Sequence, residues 1–222
     1  AFTETFSRYS PRRFVEEILV DRLHVEELVI GFDHGFGRDR SGNADTLREI
    51  GADLGFDVDV VPPVEAGEEA VSSTRIRAAV AAGRMEEARM CLGRPYSIRG
   101  VVVRGDGRGK GLGFPTANLE VSASDKLIPP SGIYAVRGVL KRGTYVGALH
   151  LGPRPTFAGS PPSIELHLLD FEGDIYGEAV RIDFVHYLRP VLPFDSVGAL
   201  IDQMRADVDL ARHVVDEDSE FA

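Results

Sequence analysis

The run Gly100–Leu119, GVVVRGDGRGKGLGFPTANL, sets the strongest limit on what this chain can fold into. Three consecutive valines, Val101 to Val103, favour a strand, because branching at Cβ suits a pleated surface better than a helix. Glycine then occupies positions 105, 107, 109, 111 and 113, and Pro115 follows Phe114. The residue before a proline is pushed out of the helical region, so the segment reads as strand and loop inside a β architecture. Dense glycine lets the backbone approach a ligand, and successive free N–H groups can form a concavity for anions. Arg104, Arg108 and Lys110 add positive charge there, in a chain whose formal net charge is −10. Thr116 and Asn118 bring hydroxyl and amide oxygens, which suit a hard cation such as magnesium. Glycine alternation alone fits a flexible hairpin as well as a phosphate-holding loop. The PTAN ending favours the second.

Counting removes two familiar phosphate motifs. A Walker A loop needs glycine five residues before Gly109-Lys110 and Ser or Thr after it, whereas Arg104 and Gly111 stand there. The dinucleotide pattern G-x-G-x-x-G fits no frame from Gly105 to Gly113, and both motifs open directly into a helix.

The remaining bounds are ordinary. At 222 residues the chain can hold one large or two small domains. No apolar run approaches the ~20 residues that span a bilayer, and the first residues lack the shape of a signal peptide. A single cysteine, Cys91, excludes an internal disulfide and fits a reducing, cytoplasmic setting. The excess of 35 acidic over 25 basic residues argues against nonspecific nucleic-acid binding. A homo-oligomer is compatible with the sequence, which does not fix the oligomeric state.

Residues 1–95 read as an α/β layer. Ser10-Pro11 opens a helix over 11–24 with Phe14, Val15, Ile18, Leu19 and Leu23 as its stripe. Leu28–Ile30 reads as a buried strand, 44–54 as a helix and 56–61 as a second strand, an order that implies parallel pairing. Ser72 and Ser73 can cap a helix that carries Thr74, Arg75 and Arg77 in its first turns. That turn is either a capped start with two solvated arginines or an anion site built from Ser73, Thr74 and Arg77. Helices near 73–82 and 84–92, broken at Gly83, close this half. Gly93-Arg94-Pro95 is the linker.

Over 96–222 the hydrophobic period switches to two. Alternating runs at 134–140, 145–151, 164–169 and 179–185, with turn signals between them, predict an antiparallel sheet or small barrel. Asp195-Ser196 caps a last helix whose stripe is Val197, Leu200, Ile201, Met204, Val208 and Ala211. Most carboxylates of this half fall in turns. Glu165 is different: it sits within the apolar run Ile164–Leu169 and shares a face with His167. It reads as a catalytic base or as a paired structural carboxylate.

The stretch GDGRGKGLGFPTANL resembles the signature of the riboflavin kinases, the C-terminal module of the bifunctional prokaryotic riboflavin kinase/FMN adenylyltransferases, or FAD synthetases. Gly132–Val136 (GIYAV), Leu151–Phe157 (LGPRPTF), Ile164–Phe171 (IELHLLDF) and Ile175–Gly177 (IYG) follow in the family's order. The resemblance covers essentially the whole chain. It implies a six-stranded Greek-key barrel with a C-terminal helix behind part of a Rossmann-like nucleotidyltransferase domain. It also implies ATP-dependent phosphorylation of riboflavin to FMN, with Mg2+ as cofactor and ATP, riboflavin and FMN as small-molecule partners. A non-catalytic flavin- or nucleotide-binding module is the alternative.

The resemblance also assigns roles. Glu165 is the base. Gly105, Gly107, Gly109, Lys110, Gly111 and Gly113 wrap the ATP phosphates, with Thr116 and Asn118 on nucleotide and metal. Arg189 matches the arginine before the last helix and reads as a contact to nucleotide or flavin or as a surface arginine, and Arg154–Phe157 match the family's PTF segment. Two positions depart from the pattern: Lys110-Gly111 replaces Arg-Thr, and His150 replaces asparagine. Val71–Arg77 resembles the ISSTxxR motif, placing Ser73, Thr74 and Arg77 on ATP phosphates, and Gly31–Gly37 resembles G-x-D-F-x-F-G with His34 in place of phenylalanine. None of the six histidines forms the H-x-x-H pair that adenylyl transfer uses in this family. FAD synthesis is therefore expected only of a longer chain.

Overall fold

The computed structural model describes residues 3–105, 108–121, 126–152 and 163–220, the side chains of Arg108, Lys110, Ser219 and Glu220 excepted. Two compact units are present, residues 1–70 and 71–222.

In the first unit, short helices α1 (Glu4–Ser7) and α2 (Pro11–Phe14) precede a π-helical turn over Val15–Val20. Strand β1 (Glu27–Gly31) leads to helix α3 (Ala44–Leu54) and strand β2 (Asp57–Val61), followed by a small hairpin, β3 (Glu65–Ala66) and β4 (Glu69–Ala70). β1 and β2 pair in parallel, Leu28 opposite Val58 and Ile30 opposite Val60. Helix α3 starts where Asn43 Oδ1 accepts the Thr46 N–H at 2.9 Å, and it buries Leu47 and Ile50 against Val15, Ile30 and Phe56.

The expected helix over 11–24 is not regular. Asp21 donates to the Glu16 carbonyl and Leu23 to that of Ile18, each five residues back. Widening the turn shifts the phase of the stripe, so Leu23 ends 62% exposed.

The second unit starts with α4 (Ser73–Ala81) and α5 (Met85–Leu92), which pack with the strands that follow. Their Ala79, Val80, Met85 and Ala88 are fully buried in the same core as the barrel. Six strands close that barrel: β5 (Tyr96–Val103), β6 (Ala117–Glu120), β7 (Gly132–Leu140), β8 (Gly143–Gly152), β9 (Ser163–Leu168) and β10 (Ala179–Arg189). A single helical turn, α6 (Arg108–Gly111), lies in the glycine loop, and helix α7 (Val197–Glu220) ends the chain. The strand order is β10-β5-β6-β9-β8-β7, a Greek key with every neighbouring pair antiparallel. Closure leaves no free strand edge on the sheet.

Alternation aims Ile98, Val102, Leu119, Tyr134, Leu149, Leu166, Ile182 and Phe184 into the barrel. Strand β7 is buried on both faces over Gly132–Val136, because Ala135 is covered from outside by Ala211 and Val215 of α7. Ser196 Oγ accepts from Ala199 N–H at the start of that helix. Of its expected stripe, Val197 is exposed, and Asp207 takes a buried place instead.

Candidate active site

The candidate site residues of the barrel face outward from it. Register sets Val103 opposite Asn118, Asn118 opposite Glu165, Glu165 opposite His150, His150 opposite Ile133 and Ile133 opposite Arg189. Directly opposed residues in an antiparallel pair share a face, with Cβ atoms about 5 Å apart. One row of side chains thus crosses all six strands, with Glu165 between Asn118 and His150. Ile164 and Leu166, on either side of Glu165, point into the core. This alternation holds the carboxylate on the outer face, half-buried.

The glycine loop is fastened to the same row. A Cβ on Gly105 would overlap the Asn118 carboxamide, and one on Gly109 would overlap the Phe114 carbonyl while sitting 3.1 Å from Thr116 Oγ1. The loop backbone therefore reaches both PTAN residues at a closeness only glycine permits. Phe114 N–H donates to the Gly109 carbonyl at 2.9 Å. On the far side, His167 Nδ1 lies 2.8 Å from the Pro115 carbonyl and its ring meets Phe114 edge-on. His167 thus braces the turn that presents Thr116.

Burial pushes the His150 imidazole below its usual range, aided by Arg189 and opposed by Glu165. A neutral ring beside Glu165 can accept or donate one hydrogen bond without adding charge. Its ring also packs over Gly152, where a Cβ would stand 2.8 Å from two ring atoms. Arg189 lies at the end of the row with its guanidinium held by Asp207 of α7, at 2.7 and 2.6 Å. Gln203 donates to the same carboxylate at 2.9 Å. The fork geometry fixes Arg189 in the plane of Asp207. Sequence reasoning missed Asp207, although a carboxylate at the Met204–Ala211 spacing of an apolar stripe is the available signal.

The row and its loop bring together Gly105, Gly109, Thr116, Asn118, Glu165 and, at the far end, Arg189. Gly111 and Gly113 continue the loop in exposed positions, Gly113 with φ +87°. Gly107, the Lys110 side chain and Arg154–Phe157 lie outside the described residues. Ser73, Thr74 and Arg77 form a separate group in the exposed first turns of α4, where Ser72 Oγ accepts from Arg75 N–H at 3.1 Å. They sit on a helix, not on the strands that carry the row.

A closed Greek-key barrel whose glycine loop is pinned to an outward Thr/Asn/Glu row, preceded in the sequence by an α/β unit, defines a class of two-module proteins. Comparison with known proteins agrees. The riboflavin kinase family model matches residues 92–215 and the FAD synthetase model matches residues 1–75. A bifunctional riboflavin kinase/FMN adenylyltransferase of Listeria monocytogenes is 42% identical over 207 residues, covering 93% of this chain and 65% of that protein. Its counterpart in Pseudomonas fluorescens is 38% identical, covering 96% and 68%. A Streptococcus pneumoniae crystal structure described as a macrolide-efflux protein superposes with a TM-score of 0.83 at 35% identity, covering 95% of this chain and 67% of that one. This chain belongs to the riboflavin kinase family. It spans about two thirds of the length of the curated relatives it matches. Among the described residues no helix is long and apolar enough to cross a membrane.

Proposed function

We propose that residues 96–222 transfer the γ-phosphoryl group of ATP to the 5′-hydroxyl of riboflavin, giving FMN, in the cytoplasm. Residues 1–95 would then be part of an FMN adenylyltransferase that makes FAD only in a longer protein. The observation that supports the reading most is the register of Asn118 against Glu165, two residues beyond Thr116 and against the glycine loop.

Phosphoryl transfer asks a protein for position and electrostatics more than for covalent chemistry. The loop from Gly105 to Gly113, with Lys110, would offer backbone N–H groups and charge to the phosphates. Thr116 and Asn118 present neutral oxygens of the hard type that magnesium takes, and phosphate and water oxygens would complete its shell. Bound there, the cation would neutralise charge between the β- and γ-phosphates. Glu165, on the adjacent strand, would take the proton from the attacking hydroxyl. The Asp207-held Arg189 would meet the flavin end. Ser73, Thr74 and Arg77 would hold ATP phosphates in the adenylyl transfer of the longer protein.

The test is FMN formation from riboflavin and Mg-ATP by the chain and by Thr116→Val. The reading expects turnover in the first and a loss of at least ~10-fold in the second. Binding of both substrates without ATP consumption would leave a flavin-binding module instead.

A further inference from the structure

A groove of about 560 Å³ opens on the barrel wall where β5 and β10 run together. It belongs to none of the machinery above: Arg99, one of its lining residues, lies four positions before Val103 on β5, about 13 Å along the strand at 3.3 Å per residue. Among the described residues four cations line it, Arg94, Arg99, Lys126 and Arg181, against one carboxylate, Asp183. A local surplus of three positive charges is unexpected in a chain of net charge −10.

The cations are also placed against one another. Register sets Arg181 directly opposite Arg99, and like charges in directly opposed positions of an antiparallel pair are destabilising. Asp183 relieves only one of them, since both its oxygens accept from Arg181, at 2.9 and 3.0 Å. Arg99 makes no ion pair among the described residues. Lys126 lies over the Tyr96 ring, its ammonium 4.4 Å from the centroid. Burial and the nearby Arg94 both push Lys126 below the usual lysine range. The Lys126–Arg94 repulsion and an Arg99 without an ion pair thus share one cleft, a local conflict of the kind that marks functional positions. A bound polyanion would resolve both.

We propose that this groove is a second anion site that takes a nucleoside diphosphate or triphosphate, the phosphates between Arg99, Lys126 and Arg94 and the organic part against Pro95 and Val121. The volume lies within the 300–1,000 Å³ common for small-molecule sites, and the charge surplus matches a ligand of two or more phosphates. The site stands independently of the riboflavin reading.

Calorimetric titration with ADP, without metal and at low ionic strength, tests it. Wild type is expected to bind one equivalent more than Arg99→Ala/Lys126→Ala, with inorganic pyrophosphate competing for that equivalent. FMN formation at saturating substrate should stay within about twofold in the double variant, because neither residue touches the reacting groups. Removing one of two opposed cations should also raise Tm, by about 1–2 °C for Arg99→Ala, which separates lost binding from lost folding. The same ADP stoichiometry in both proteins, an absence of competition by pyrophosphate, or a lowered Tm would each overturn the proposal. A chain that made no FMN would still lose one ADP equivalent in the double variant, so the two readings fail separately.

Discussion

At the scale of single residues, the row around Glu165 holds two groups of opposite electrostatic character, His150 and the Arg189–Asp207 pair. His150 occupies the next place in the row, and its proton affinity is depressed mainly by burial. The folded chain therefore binds fewer protons at this ring than the unfolded chain does. Its stabilising contribution is present above the ordinary histidine pKa of 6.5 and is lost as pH falls below it. Denaturant melts at pH 7.5 and 5.5 should show a larger loss for wild type than for His150→Asn; equal losses would show that His150 is not the group involved. Arg189 and Asp207 make the opposite case, a nearly buried charge pair whose side chains are 16% and 7% exposed. Asp207→Asn should leave the guanidinium without its anion and cost about 3 kcal/mol in urea unfolding. A change under about 0.5 kcal/mol would mean that solvent reaches the pair.

At the scale of elements, the glycine loop and β6 act as one piece. Gly105→Ala would drive a methyl group into the Asn118 carboxamide, and Gly111→Ala meets open space. The account expects the first to reduce FMN formation at least ~10-fold with little change in the second. Equal effects would show that loop flexibility, and not its contact with β6, is what counts. Elements set by local chemistry were legible in the sequence. The helix read over 44–54 is α3, which Asn43 caps and Gly55 ends in a left-handed conformation, and β8 to β10 follow from their alternation. Features set by distant partners were not. Leu23 left its stripe because the π turn added a residue to the repeat. Ala135 reads as a poor outward position until Ala211 and Val215 of α7, more than seventy residues later, cover it. The site shows the same division: Thr116, Asn118 and Glu165 stand out by motif, whereas their adjacency depends on β6 pairing with β9 across a long connection. Asp207 hid within an apolar stripe.

At the scale of the whole molecule, the two compact units and the two family matches point to a division of labour. The barrel unit carries its own core, loop and carboxylate. Among the described residues the α/β unit pairs two parallel strands in one sheet, and the histidine pair used for adenylyl transfer in this family is not in the sequence. Given FMN and ATP, this chain is expected to form no FAD, and a longer protein carrying that histidine pair is expected to form it. FAD made by this chain would show that adenylyl transfer runs without the pair. The most direct measurement concerns Glu165 and Asn118 together: kcat for FMN formation and the Kd for ATP, taken on Glu165→Gln and Asn118→Ala. The account expects Glu165→Gln to lose 10²–10⁴-fold in kcat with ATP affinity kept within about threefold, and Asn118→Ala to lose ATP affinity as well. Turnover of Glu165→Gln within about threefold of wild type would contradict it.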